Sequence, residues 1–333
     1  MFKKLYSSIK KYIIDNHNFL LFLVLFTIVL NIRVPYVIKR PGGIISLDNR
    51  IEVNGKNIKN NYYTSYVSMN DGTVLSFIMG KIMPKWEVVK EKEYVPSNVS
   101  YEELAKIEKF MMYESNNTAI KTVYDKLGID YKLDNKGLYV YYSHKDYDNN
   151  LQVGDRIKTC NGTDIKYFDE LKKCIYESKN DYVTLKIIRD DKEEIVKSYI
   201  KDVNNNKLIG VNIYQDYKLD SDEKVEIKTL KREYGSSGGL MTTLAIYDAL
   251  SEDDLSRGRK ISGTGTIEFD GSVGEIDGIK YKILGADKKN VDIFFVPKDN
   301  YKEALKYKKK YNLKIKLVKV ETLDDAINYL KKK

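Results

Sequence analysis

The stretch GSSGG, residues 235–239, stands directly before an apolar run in which Leu240, Leu244 and Ala245 recur at helical spacing. Glycine and serine together are typical of a loop, whereas the apolar spacing predicts a helix that starts directly after them. Because unpaired backbone N–H groups gather at the first turn of a helix, this position suits a serine nucleophile beside an oxyanion site. The choice between a linker and a reactive centre depends on the rest of the chain.

The amino-acid composition limits the kinds of catalytic site that this chain can form. The chain has 333 residues and 42% hydrophobic content, enough for two or three compact units. Its only histidines are His17 and His144, so a Ser-His-Asp triad or a histidine-rich metal site is hard to build. A serine nucleophile in this chain would therefore need a base other than histidine.

The net charge of +9 does not by itself indicate a nucleic-acid partner. Lysines are spread along the chain among 48 acidic residues, so we expect a solvated surface and no nucleic-acid binding. Cys160 and Cys174 form no zinc motif, and we predict two buried thiols and no metal. A disulfide between them is the alternative if the domain lies outside the cytoplasm.

An uncharged apolar run, residues 19–32, follows several lysines near the amino terminus. Extended over residues 17–38, it has about the 20 residues needed to cross a bilayer. The lysines predict a cytoplasmic tail over residues 1–16, which places everything after residue 40 outside. No small-residue cleavage site follows the run, so we expect an uncleaved single-pass anchor in the cell membrane.

Residues 44–124 predict a mixed α/β segment. Ser100 and Glu103 form a capping box at the start of a long helical pattern. Short strands are expected before it, at residues 44–48, 50–55, 62–69 and 73–79. We further predict that the strand at 62–69 joins the sheet of the carboxyl-terminal domain.

Residues 125–200 are rich in predicted strands and turns. The strand that starts with GLYV, the block LQVGDRI and the turn at Asn161-Gly162 occur here in the order found in PDZ domains, which the segment resembles. The resemblance implies that a peptide adds as an extra strand while a backbone loop holds its terminal carboxylate. The residues so implied are Gly137, Leu138, Tyr139 and Val140. The alternative is a small β domain that only spaces the anchor from the carboxyl-terminal domain.

Residues 205–333 alternate strands and helices. GSSGG, then TGTIEFDGSVGEIDGIKYK over residues 264–282, then IFFVPKDN over residues 293–300, resemble the proteolytic domain of Lon, a Ser-Lys peptidase. With the anchor and the PDZ-like segment, the layout is similar to that of membrane-anchored, ATP-independent Lon-like peptidases of bacteria. The fold class expected is α/β (α+β).

The resemblance assigns Ser237 as the nucleophile and Lys282 as its base. Lys280 and Lys282 flank the apolar stripe of their helix equally, so the resemblance alone selects Lys282. Ser236 replaces a proline of the family and is a second candidate nucleophile, while Gly238 replaces an alanine. The residues expected to support the oxyanion or the lysine are Gly235, Ser236, Gly238 and Thr264.

The chain is thus expected to be a membrane-anchored serine endopeptidase that cleaves exported peptides or proteins without a metal, nucleotide or other cofactor. A neutral, buried lysine would accept the serine proton. A catalytically silent, membrane-anchored scaffold is the alternative function. The sequence specifies neither the substrate nor the oligomeric state.

Overall fold

The computed structural model of the chain describes residues 2–95, 99–231, 233–251 and 253–332. The predicted segments 1–16, 44–124 and 205–333 each include residues outside these ranges, namely Met1, Pro96, Ser97, Asn98, Arg232, Glu252 and Lys333. The chain divides into two compact units. The first comprises residues 1–41 and 67–96, and the second comprises residues 42–66 and 97–333.

The described residues form helices and strands throughout both units. The helices are α1 (Phe2–Asp15), α2 (His17–Leu30), α3 (Val74–Ile82), α4 (Glu91–Tyr94), α5 (Tyr101–Leu127), α6 (Phe168–Glu177), α7 (Gly239–Ser251), α8 (Ile279–Lys288), α9 (Lys298–Tyr311) and α10 (Leu323–Lys331). The strands are β1 (Arg33–Ser46), β2 (Ile51–Val53), β3 (Lys56–Asn57), β4 (Tyr62–Thr73), β5 (Glu87–Lys90), β6 (Lys132–Ser143), β7 (Arg156–Cys160), β8 (Thr163–Asp164), β9 (Tyr182–Arg189), β10 (Lys192–Tyr199), β11 (Lys201–Val203), β12 (Asn206–Leu208), β13 (Val211–Asp220), β14 (Val225–Ile227), β15 (Ile261–Gly263), β16 (Ile293–Pro297) and β17 (Lys316–Val320).

In the first unit, α2 is apolar along its length and none of its side chains is buried. Within the described ranges, no single helix is both long and apolar enough to cross a membrane; Ser8–Asp15 and His17–Leu30 meet that test only as a pair bent by 75°. The expected anchor over residues 17–38 extends past α2, because β1 begins at Arg33 and pairs antiparallel with β5.

Residues 73–79 form a helix start, which corrects the prediction of a strand. Thr73 Oγ1 accepts a hydrogen bond from the N–H of Ser76, and the N–H of Thr73 donates to Ser76 Oγ. These two bonds make a capping box, which satisfies backbone groups at the helix start. The local hydrogen bonds therefore favour α3 over the extended form that the apolar run suggests.

The second unit contains a sheet in the order β17-β16-β15-β4-β1. β15 pairs parallel with both β16 and β4, which agrees with the prediction that residues 62–69 join this sheet. Side chains on one face pack with α5, α7 and α10, whereas those on the other pack with α8 and α9. Phe295 and Phe294 belong to these two cores respectively, as alternation along a strand requires.

A second sheet in this unit has the order β10-β9-β7-β6-β13 and encloses a core with α6. Cys160 of β7 and Cys174 of α6 form a disulfide, so the prediction of two thiols was wrong. β13 lies beyond residue 200, where the segment resembling a PDZ domain was expected to end. The sheet therefore recruits a strand from the segment that was assigned wholly to the proteolytic domain.

The long helix α5 begins as predicted. Ser100 is its amino-terminal cap, and Ser100 and Glu103 exchange the two hydrogen bonds of a capping box. The helix packs against α7, which covers the sheet that contains β15, and against β13 of the sheet that contains β6. Thr322 caps α10 in the same manner, with Asp325 as its partner.

Candidate active site

Ser237 lies in the turn that precedes α7, as the sequence predicts. Gly235 has a φ of 84°, a left-handed conformation that glycine adopts without strain. Its N–H donates to the carbonyl of Glu108 over 2.9 Å, and Ser115 Oγ donates to the carbonyl of Ser236 over 3.2 Å. Both partners belong to α5. The Gly235 N–H is thus already engaged, which argues against its predicted use for an oxyanion.

Lys282 extends from α8 toward Ser237. Its Nζ lies 2.6 Å from Ser237 Oγ, and the residue is only 4% exposed. Burial lowers the pKa of Lys282 to about 7, because an ammonium group loses hydration in the interior. The negative charge of Asp277 acts in the opposite direction and raises that pKa. A substantial fraction of this lysine is therefore neutral near pH 7.

Thr264 follows β15 and completes a hydrogen-bonded triangle with the other two residues. Its Oγ1 donates to the carbonyl of Ser237 over 3.0 Å and lies 2.9 Å from Lys282 Nζ. A hydroxyl has one proton, so Thr264 must accept a hydrogen bond from Lys282. A neutral amine that donates to Thr264 keeps its lone pair available for the Ser237 hydroxyl. The arrangement suits proton transfer from serine to lysine.

The contacts of Lys280 and Lys282 differ, although the helical pattern of the sequence does not distinguish the two residues. Lys280 Nζ lies 4.8 Å from the ring centre of Tyr281 and 5.9 Å from that of Tyr307. Lys282 alone of the pair has a hydrogen bond to Ser237. Ser237, Lys282 and Thr264 are thus brought together, with residues 235–238 forming the adjoining turn.

Two glycines pack tightly at the start of α7. A Cβ on Gly239 would lie 2.7 Å from Ser115 Oγ and 3.1 Å from the backbone nitrogen of Ile267. A Cβ on Gly238 would meet the Thr64 side chain at 3.1 Å. The site therefore excludes a side chain at 239, whereas an alanine at 238 requires only a small shift of Thr64.

Sequence reasoning missed the part that α5 plays in this site. Glu108 and Ser115 hold the turn through one backbone carbonyl and one hydroxyl. Neither contact has a signature in the sequence, because each joins positions more than 120 residues apart along the chain. The segment 44–124, for which no chemistry was predicted, therefore supplies the support of the serine turn.

The residues expected to bind a peptide lie in β6, away from this triangle. Leu138 and Val140 are fully buried, and the N–H of Gly137 donates to Asn135 Oδ1 over 2.8 Å. Tyr139 lies 5.9 Å from Phe110 of α5, measured between ring centres. β6 pairs with β7 on one side and with β13 on the other, so neither of its edges is open.

The chain is similar to known proteins over parts of its length. Residues 188–332 match the model of the Lon protease (S16) C-terminal proteolytic domain. The Lon protease of Metamycoplasma arthritidis is 35% identical over 96 residues, which are 29% of this chain and 11% of that protein. The Lon protease of Clostridium acetobutylicum is 33% identical over 93 residues, 28% of this chain and 12% of that protein.

Two solved structures that resemble part of the chain are PDZ domains. That of the SdrC-like protein from Listeria innocua has a TM-score of 0.22 and 24% identity, and covers 24% of this chain and 94% of its own. The PDZ domain of the SdrC-like protein from Listeria monocytogenes has a TM-score of 0.22 and 27% identity, and covers 25% of this chain and 92% of its own.

The matches to Lon proteases support a proteolytic domain in the carboxyl-terminal part of this chain. The matched domain supports a protease, and serine peptidase activity is the chemistry that this domain suggests. The chain spans about a tenth of the length of these relatives. Among the residues that the structure describes, no group of His, Cys, Asp and Glu is arranged to hold a metal ion.

Proposed function

We propose that this chain is a serine endopeptidase with Ser237 as nucleophile and Lys282 as general base. The observation that carries the proposal is the 2.6 Å contact between Ser237 Oγ and Lys282 Nζ, made by a lysine that is buried. A lysine can accept a proton only when it is neutral, and burial provides that state near neutral pH. The matched proteolytic domain covers both residues.

The reaction begins when Lys282 accepts the proton of the Ser237 hydroxyl. The serine oxygen attacks a peptide carbonyl, and the resulting lysine ammonium returns its proton to the leaving amine. Water then hydrolyses the acyl-enzyme with Lys282 again as base. Thr264 keeps the lysine in place, because its hydroxyl is bonded to the Ser237 carbonyl and accepts from Nζ.

The tetrahedral oxyanion requires donors close to Ser237. The backbone N–H groups of residues 236–238 lie in the turn directly before α7, close to the positive end of the helix dipole. Their dipoles favour negative charge at this position. We assign the oxyanion site to this turn and exclude the Gly235 N–H, which bonds to Glu108.

A peptidase assay with fluorescein-labelled casein tests the pair. Ser237→Ala and Lys282→Met should each lower kcat/KM at least about a thousandfold, since a nucleophile and its base act as one unit. Lys280→Ala is the matched control and should retain wild-type activity. Full activity in either dyad variant would refute the assignment, and an inactive wild-type chain would favour the silent scaffold.

Ser236→Ala distinguishes the two serines of the turn. This variant keeps its backbone N–H, so we expect it to retain most activity if Ser237 is the nucleophile. Loss of activity comparable to that of Ser237→Ala would transfer the role to Ser236. Addition of ATP should leave the rate of the wild-type chain unchanged, because we propose an ATP-independent enzyme.

We also propose that the first unit attaches the chain to the cell membrane. The apolar side chains of α2 are exposed, and α3 exposes Leu75, Ile78 and Ile82 at helical spacing. Large exposed apolar surfaces are unfavourable in water and are typical of membrane or protein contact sites. Co-flotation of the full chain with liposomes tests this proposal, and recovery in the protein-only fraction would contradict it.

We place the catalytic domain outside the cytoplasm, with exported peptides or proteins as substrates. The disulfide between Cys160 and Cys174 suits an oxidising compartment, whereas cytosolic thiols are kept reduced. Digestion of intact spheroplasts by an added protease is the test. Protection of the second unit from the added protease would contradict the proposed orientation.

A further inference from the structure

β13 covers the edge of β6 to which a PDZ-type domain would add a peptide. The two strands pair antiparallel from Val211 opposite Ser143 to Asp220 opposite Lys132, with bulges after Asn212 and Asp216. β7 pairs with the other edge of β6. A peptide can therefore extend the sheet at β6 only if β13 leaves.

The register gives β13 the features of a bound peptide. Asp216 lies opposite Gly137, at the start of the segment that the PDZ resemblance assigns to carboxylate binding. Its carboxyl group accepts a hydrogen bond from Tyr214 Oη over 3.2 Å. Burial raises the pKa of Asp216, whereas the positive charges of Lys136 and Arg156 act to lower it. A carboxylate thus stands beside the loop that would receive the carboxyl terminus of a peptide.

The two faces of β13 contact different parts of the unit. Val211 and Ile213 pack against the core of the second sheet, and Gln215 Oε1 accepts from the N–H of Phe168 at the start of α6. Tyr214 faces α5, where its ring centre lies 5.7 Å from that of Phe110. Side chains on one face therefore pack beside α6, while Tyr214 on the other face touches α5.

We propose that residues 211–216 are an internal ligand of the PDZ-like groove, and that a peptide with a free terminal carboxylate competes with them for β6. This inference rests on the expectation, implied by the resemblance to PDZ domains, that residues 125–200 bind peptides by strand addition. Competition is favoured because the arriving peptide reforms the same main-chain bonds that β13 gives up. The apparent affinity is lowered by the small fraction of chains in which β13 has left.

Release of β13 would also alter a contact of α5. Asn117 Nδ2 of α5 donates to Tyr214 Oη over 3.2 Å, and α5 supports the serine turn through Ser115. Peptide binding at β6 and the position of Ser237 therefore share one helix. The groove therefore binds the peptide, and occupation of the groove also affects the position of the serine turn through α5.

The test uses the full chain carrying Ser237→Ala, so that binding is measured without cleavage and independently of catalytic activity. The probe is a fluorescent peptide of residues 208–216, LIGVNIYQD, with a free carboxyl terminus. The same peptide with an amidated carboxyl terminus is the control. Ile213→Ala combined with Gln215→Ala weakens the hold on β13 and should tighten binding of the free-carboxylate peptide about tenfold or more.

Hydrogen exchange then shows where the peptide binds. Saturating peptide should increase exchange of the amides in residues 211–216, since β13 loses its pairing. Ile195 lies on β10, the opposite edge strand of the sheet, and its side chain is 73% exposed. Ile195→Ala is therefore the control and should leave the affinity for the peptide unchanged. Binding without deprotection of β13, or no binding by either the parent chain or the double variant, would overturn the proposal.

Discussion

The titration of Lys282 predicts a specific pH profile for catalysis. With a pKa of about 7, about one lysine in eleven is neutral at pH 6 and about ten in eleven at pH 8. The value of kcat/KM should therefore rise about tenfold between these pH values and level off above pH 8. A lysine with its ordinary pKa of 10.5 would give about a hundredfold rise that continues beyond pH 10.

The measurement is steady-state cleavage of a fluorogenic peptide at constant ionic strength from pH 5.5 to 10. Asp277→Asn is the informative variant, because the Asp277 carboxylate favours the ammonium form of Lys282. Removal of this charge should shift the half-maximal pH to a lower value. A profile that keeps rising above pH 9 would refute the role of burial. An upward shift in Asp277→Asn would refute the role of the Asp277 charge.

The same pKa predicts how stability depends on pH, without any catalysis. Between about pH 7 and 10.5 the unfolded chain binds the Lys282 proton and the folded chain does not, so the free energy of unfolding rises with pH. The slope is about 1.4 kcal/mol per pH unit, or about 3 kcal/mol from pH 6 to 9. Urea unfolding should show this rise relative to Lys282→Met. A pH-independent difference would contradict the lowered pKa.

Three further predictions concern packing, the disulfide and the membrane. Gly239→Ala should destabilise the chain by about 1–3 kcal/mol in urea unfolding, since its Cβ would lie 2.7 Å from Ser115 Oγ, whereas Gly238→Ala should cost less. Cys174→Ser opens a disulfide that spans 14 positions and should cost about 3 kcal/mol in the same assay. Trp86, the single tryptophan, follows the exposed face of α3. In proteoliposomes its fluorescence should be quenched by lipids brominated near the headgroup; an emission unaffected by these lipids would place α3 in water.

The sequence was sufficient to predict that Ser237 and Lys282 meet, although they are 45 positions apart. Their blocks resemble a known domain, and the glycine-rich turn with its apolar helix has a local signature. Helical position alone did not distinguish Lys280 from Lys282. That distinction depends on which side chain α8 directs into the interior, and therefore on tertiary packing.

Other features lacked a local signature or were misread. Residues 73–79 were predicted as a strand from their apolar character, although Thr73 and Ser76 carry the signal of a helix start. The pairing of β13 with β6 could not be predicted. The turn residues that flank β13 and its alternation of side chains indicate a strand, but they do not specify which strand it pairs with. The disulfide was an open alternative, since spacing alone does not bring Cys160 and Cys174 together.

Helix α5 explains how the serine turn is held without the proline that the family resemblance leads one to expect at position 236. Proline fixes φ and reduces the freedom of a turn. Here the flanking atoms are fixed from outside, by the bond of the Gly235 N–H to Glu108 and that of Ser115 Oγ to the Ser236 carbonyl. Both bonds come from one helix, and they restrict the turn on either side of the Gly235–Ser236 peptide bond. Tertiary contacts with α5 therefore order the serine turn, whereas the family resemblance leads one to expect a proline to do so.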